Sequence, residues 1–138
     1  MEEYEKIYYE ANSFLQAANM LHSEENKLYG WFNPVLYPTI VNLSFSCELF
    51  LKCLLTKDNR CIRTHSLKDL FDNLDDEKKK KIKKLIKEDK FNEILKEQSN
   101  YFEKFRYIYE NGKEISSVNL SFLFVFANSL KAVIKENI

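Results

Sequence analysis

Tyr4, Ile7, Tyr8, Ala11, Phe14, Ala18 and Leu21 recur three and four positions apart, which predicts one amphipathic helix over about 2–25. Gly30, Asn33, Pro34 and Pro38 then mark a loop over 29–38, whose aromatic residues are expected to pack back on the fold. Pro38 suits the first turn of the next helix, where its missing N–H has no task. From 39 to 56 apolar residues fall on nearly every side (Ile40, Val41, Leu43, Phe45, Leu49, Phe50, Leu51, Leu54 and Leu55), as on a central helix surrounded by others.

A polar connection over 57–63 comes next, and Ser66 with Asp69 resembles a capping box opening a short helix through Leu67, Leu70, Phe71 and Leu74. Asp75, Asp76 and Glu77 head a strongly charged helix, acids first as the helix dipole prefers, with Ile82, Leu85 and Ile86 as its narrow apolar seam. Phe91, Ile94, Leu95, Gln98, Phe102 and Phe105 predict another amphipathic helix reaching about 109, and Asn111-Gly112 a turn. Ser116 or Ser117 can cap a last helix with the face Phe122, Val125, Phe126, Ser129 and Val133. The expected fold is all-α: one domain over 1–138, an up-and-down helical bundle of four long helices plus one or two short ones.

Composition agrees. With 2 Gly and 2 Pro in 138 residues there are too few turn formers for a many-stranded sheet protein. The acidic, amphipathic start MEEYEKIYYE is unlike a secretory leader, and the most apolar stretch, 115–130, carries four Ser and two Asn and falls short of the ~20 residues of a spanning helix. No membrane association and a cytoplasmic setting are therefore expected. Cys47, Cys53 and Cys61 include no C-x-x-C pair, and with only two histidines they build no zinc site, so buried reduced thiols and no metal or cofactor are expected.

Net charge changes the picture more. Lys and Arg total 21 and Asp and Glu total 21, so any nucleic-acid contact must come from a local patch. The run 78–84, Lys at every position except Ile82, could track a phosphate backbone. The acids Asp75, Asp76, Glu77, Glu88 and Asp89 flank it, and a solvated face is the preferred reading. Tyr29, Trp31, Phe32 and Tyr37 could stack bases, but without basic neighbours, packing over the bundle end is preferred.

Candidate chemistry centres on polar residues inside the apolar helix. Ser44, Glu48 and Lys52 are four apart and share one face. A buried carboxylate needs partners: Lys52 is one, and Arg106, on the aromatic-rich run 105–110, is a second candidate. A structural ion pair fixing helix register is the preferred reading of such a cluster; the functional one is a device holding Arg106 to grip a phosphate.

The run Ser44-Phe45-Ser46-Cys47-Glu48-Leu49-Phe50-Leu51-Lys52-Cys53-Leu54-Leu55 resembles the S-x-x-x-E-x-x-x-K-x-L-L helix of HEPN-domain proteins. The segment Thr64-His65-Ser66-Leu67-Lys68-Asp69-Leu70 is similar to their H-x-L-x-x-L segment, and Arg106-Tyr107 with Glu110 looks like their R-Y-x-x-E stretch. The resemblance implies a dimeric helical bundle of prokaryotic defence and toxin–antitoxin systems. Active members are metal-independent ribonucleases with an R-x4-6-H motif, while others lack the motif and serve as binding modules, often beside a nucleotidyltransferase.

Where that histidine should come after Arg106 the chain has Asn111, Gly112 and Lys113, and no histidine occurs after His65. Asparagine cannot exchange a proton near neutral pH as imidazole does. Arg60 to His65 also spells R-x4-H, but in the loop after the central helix, where His65 is expected to order the loop by capping or packing on the short helix. His22 reads as a helix-end residue. The leading expectation is a non-catalytic HEPN-like homodimer binding a partner protein, such as a nucleotidyltransferase-like protein, or RNA. The alternatives are a divergent ribonuclease, with Arg106 on the scissile phosphate, Glu48 orienting it and Asn111 or Tyr109 assisting, and a purely structural interaction module.

Overall fold

The computed structural model describes residues 1–24, 34–102 and 118–137, and among these it has six helices and no strand. Helices α1 (Glu3–Glu24) and α2 (Leu36–Lys57) form an antiparallel pair. Cys53 Sγ donates to the Tyr4 carbonyl (3.2 Å), Tyr8 meets Phe50 edge-on, Ser46 Oγ donates to the Ala11 carbonyl (2.8 Å), and Phe14 meets Phe45, so one number rises as the other falls. The fully covered side of α1 is Tyr8, Ala11, Leu15 and Ala18, with the two alanines letting the backbones approach. Phe14 and Leu21, also in the expected stripe, are half-buried at its side.

Helix α2 is central, packing on α1, on α6 (Leu120–Glu136) and on α3 (Leu67–Asp72). It starts three residues before the expected position, so Pro38 occupies its first turn as anticipated. It ends in a Schellman turn. Asn59 is left-handed (φ 59°), its N–H bonds the Thr56 carbonyl, and the Arg60 N–H bonds that of Leu55. Asparagine tolerates this conformation better than most residues. The turn folds the chain back, so that residues 60–65 run beside α2.

Ser66 caps α3 by accepting from the Asp69 N–H (3.3 Å), but its own N–H donates to Thr64 Oγ1 rather than to Asp69, so only half of the expected box forms. Asp75 caps α4 (Asp76–Ile86), accepting from the Lys78 N–H (2.8 Å). Of the expected seam on α4, Ile82 is buried and Ile86 partly so, while Leu85 is 48% exposed.

The expected helix over 91–109 is interrupted. Helix α5 (Phe91–Glu97) gives way to a turn at 98–100, and helical backbone resumes at Tyr101–Phe102; positions 103–117 lie outside the described residues. Competing hydrogen bonds account for the break. The Ser99 carbonyl and hydroxyl accept from the N–H groups of Leu67 and Lys68, and Gln98 Oε1 accepts from the Asn119 N–H. The two buried side chains thus anchor the starts of both α3 and α6. Asn119 itself caps α6, accepting from the Phe122 N–H (2.9 Å), whereas Ser116 and Ser117 lie outside the described residues. The buried face of α6 is Phe122, Leu123, Phe126, Ala127, Leu130, Val133 and Ile134, with Ser129 at its edge; Val125, expected inside, is 42% exposed.

The stretch 115–130 is the expected membrane candidate, but among the described residues the one helix long and apolar enough to cross a membrane is α2, and 72% of its most apolar window is buried within the protein. Cys47 and Cys53 are buried as expected, while Cys61 is exposed, because it lies on the returning loop and not on a helix. Burial pushes the Cys53 thiol up to about 11 despite the nearby Lys57, and pushes Cys47 higher still.

Candidate functional site

Ser44, Glu48 and Lys52 do line one face of α2. Ser44 and Glu48 are each 1% exposed, and Lys52 reaches partly into solvent. Glu48 Oε2 accepts from Lys52 Nζ at 2.8 Å and lies 3.0 Å from His65 Nδ1. The returning loop delivers His65 to Glu48, and the half-exposed ring is thereby oriented by a buried carboxylate. His65 thus does order its loop, but through Glu48 and not by capping α3, whose cap is Ser66. Nothing in a separation of 17 residues announces that pairing.

Glu48 Oε1 is buried and accepts no hydrogen bond from the described residues, and Ser44 Oγ, one turn earlier, has no partner among them either. An ionised carboxylate with one oxygen dry and unbonded is costly, so this side of α2 holds an acceptor without a donor among the described residues. The neighbouring surface is aromatic. Phe102 stacks on Phe45 with ring centroids 4.3 Å apart and lies 6.2 Å from the His65 ring. Phe102 precedes Arg106 by four residues, so the chain leads into the arginine segment from beside Glu48 and His65. Arg106, Tyr107, Tyr109, Glu110 and Asn111 themselves lie outside the described residues, as do Tyr29, Trp31 and Phe32 of the aromatic loop. Tyr37 is described and packs against the core.

A cleft of about 410 Å³ opens on the far side of His65, between the start of α1, the end of α2 and the returning loop. Lys52, Arg60, Arg63 and His65 line it together with Thr56, Thr64 and Cys61, over an apolar floor. Arg60 and His65, the R-x4-H pair, share this cleft, but Arg60 is engaged elsewhere: its guanidinium donates to the carbonyl and to the side-chain oxygen of Asn73 beyond α3.

The lysine run is a surface face that is partly paired with acids. Lys78 bridges Asp58 (2.9 Å) and Asp75 (2.6 Å), Lys79 pairs with Asp76, and Lys81 with Glu77 and Glu136. Lys83 lies over the rings of Phe71 and Phe91. The Lys78 ammonium is partly desolvated, which opposes its charge, but hydrogen bonds to Asp75 and Asp58 prevail and raise its pKa. His22 sits in the last turn of α1 with its ring against Phe124. Among the described residues no group of three or more His, Cys, Asp or Glu is placed to hold a metal ion.

Compared with protein-family models, with curated proteins and with solved structures, the chain has no match.

Proposed function

We propose that this chain is a HEPN-like binding module without nuclease chemistry, which holds Arg106 against Glu48 and uses that end of the bundle to bind a partner protein or RNA in a prokaryotic defence or toxin–antitoxin setting. The observation that carries the reading is the unbonded, buried Oε1 of Glu48. It sits on the S-x-x-x-E-x-x-x-K helix that resembles the family, and the chain enters the Arg106 segment from Phe102, stacked beside it. A guanidinium is the donor best suited to a desolvated carboxylate, because it stays charged and offers several N–H groups in one plane. The same end of the bundle would pair two copies into a homodimer.

The non-catalytic form is preferred because Asn111 stands where the family's histidine would, and because Lys78, Lys79 and Lys81 of the lysine run are paired with nearby acids. The test is cleavage of labelled RNA by the purified chain in EDTA, alongside Arg106→Ala and His65→Ala, with partner capture followed in parallel. The expected result is no cleavage by any of the three, and loss of the captured partner in Arg106→Ala. Cleavage by the unmodified chain that disappears in Arg106→Ala would instead establish a ribonuclease.

A second reading has one observation in its favour. His65 is the histidine that a carboxylate orients, as a proton-transferring imidazole requires. If cleavage is found and His65→Ala abolishes it, the catalytic histidine comes from the loop after α2.

A further inference from the structure

The cleft beside His65 has a composition that neither the pairing of Arg106 with Glu48 nor a dimer uses. Its four titratable nitrogen groups, on Lys52, Arg60, Arg63 and His65, face no lining carboxylate among the described residues, in a protein whose acids and bases otherwise balance. The acid that pairs with Lys52 and His65 is Glu48, which lies behind them and is buried. Arg60 is fixed in place by Asn73, and Arg63 is exposed and forms no ion pair or hydrogen bond with the described side chains. Clusters of like charge in a small domain are usually relieved by neighbouring acids, as Lys78, Lys79 and Lys81 of α4 are relieved here; at this cleft Glu48 answers Lys52 and His65 from behind, and the described residues supply no acid to Arg63.

The floor is different in kind. Ile7, Leu55 and Ile62 supply it, and Thr56 and Thr64 stand at its sides. At about 410 Å³ the space lies within the range of small-molecule sites, and it combines an apolar base with a few convergent polar groups. A fully polar polyanion would leave the apolar floor wet, and a neutral apolar molecule would leave Arg63 without a counter-charge. The ligand that satisfies both has one compact oxyanion head and an apolar body.

We infer that this cleft binds a phosphomonoester with an apolar body, its phosphate held by Arg63, Lys52 and His65 and its body resting on Ile7, Leu55 and Ile62. Phosphate suits the site better than carboxylate because its oxygens can accept from three separated donors at once. Arg60, fixed by Asn73, holds the loop in shape and adds its charge at the rim. The phosphate belongs to a free metabolite or to the 5′ end of an RNA, whose terminal nucleoside would then be the body resting on the floor. The assignment does not depend on Arg106.

Cys61 gives a local readout, since it lines the cleft and is exposed, whereas Cys47 and Cys53 are buried. The experiment follows alkylation of Cys61 by neutral iodoacetamide in the folded full-length chain, together with amide NMR shifts of residues 60–65. The probes are phenyl phosphate, inorganic phosphate, phenol and a 5′-phosphorylated RNA trinucleotide. Phenyl phosphate is expected to slow Cys61 alkylation and shift those amides at lower concentration than inorganic phosphate, with phenol inert. In Arg63→Ala the required concentration should rise about tenfold, with an unchanged urea midpoint because Arg63 is exposed. Response to the trinucleotide as strong as to phenyl phosphate supports the site and assigns an RNA end as the source; response to phenyl phosphate alone supports it and assigns a metabolite. The proposal is overturned if no probe produces either signal at millimolar concentration. It is equally overturned if inorganic phosphate matches phenyl phosphate, or if Arg63→Ala and Lys52→Ala both respond like the unmodified chain.

Discussion

Two charged clusters of this protein obey opposite rules. Around Lys78 every charge lies at or near the surface and meets an opposite charge: Asp58 and Asp75 share the ammonium, and Asp75 also caps α4. Around Glu48 one buried carboxylate serves the Lys52 ammonium and the His65 ring with a single oxygen and leaves the other dry. Net charge is zero for the chain as a whole, so the difference is one of placement. Satisfied surface pairs add little to stability and explain themselves as solvation. A buried, half-satisfied carboxylate is expensive, and the proposed function gives it a use beyond packing.

Substitution sharpens the contrast, most strongly at Glu48. Glu48→Gln leaves an acceptor for Lys52 and His65, but it removes the carboxylate charge and puts a buried NH2 donor at the site of the dry oxygen. It should cost about 2 kcal/mol in urea denaturation. A smaller effect is expected at the break after α5. Ser99→Ala removes the hydroxyl that accepts from the Lys68 N–H, and should cost about 1 kcal/mol, with faster hydrogen exchange at the start of α3. Asp75→Ala removes the α4 cap and should cost about 1 kcal/mol or less. Last comes Lys78→Ala, which should cost no more than about 0.5–1 kcal/mol and lose that cost in high salt, as surface pairs do. A larger loss at Lys78 than at Glu48 would reverse the comparison.

The pH dependence of the surface cluster has a definite sign. Hydrogen bonds from Lys78 hold the Asp75 carboxyl below its ordinary 3.8. A carboxyl whose pKa is lower in the folded state contributes its full stability above the unfolded value. That contribution should fade as pH drops below about 4 and through the lower folded value. Urea midpoints measured from pH 6 downward should therefore fall less steeply in Asp75→Asn than in the unmodified chain.

How far the sequence could be read depends on the same physics. The three-and-four spacing found α1 and α6 because each buries a continuous stripe, α2 was legible as a run apolar on nearly every side, and the cap of α3 was legible because Ser66 acts within three residues of itself. The same spacing misplaced Val125, since a stripe wide enough to hold several apolar neighbours does not say which of them points at the core. It also ran straight through the turn at 98–100, where an amphipathic pattern continues although Gln98 and Ser99 are bonded to α6 and α3. At the candidate site the α2 face of Ser44, Glu48 and Lys52 could be read from one helix. His65 as the partner of Glu48 could not, because the contact depends on how the Schellman turn at Asn59 folds the loop back.

The most direct test is a double-mutant cycle between Glu48 and Arg106, comparing the unmodified chain, Glu48→Met, Arg106→Ala and the double variant by urea denaturation. Methionine has similar length but no strong acceptor for a guanidinium. If Arg106 occupies the dry side of Glu48, the two changes should be coupled by about 1 kcal/mol or more. Additivity within about 0.5 kcal/mol, with all four proteins folded, would contradict the pairing and leave the buried oxygen without the partner proposed for it.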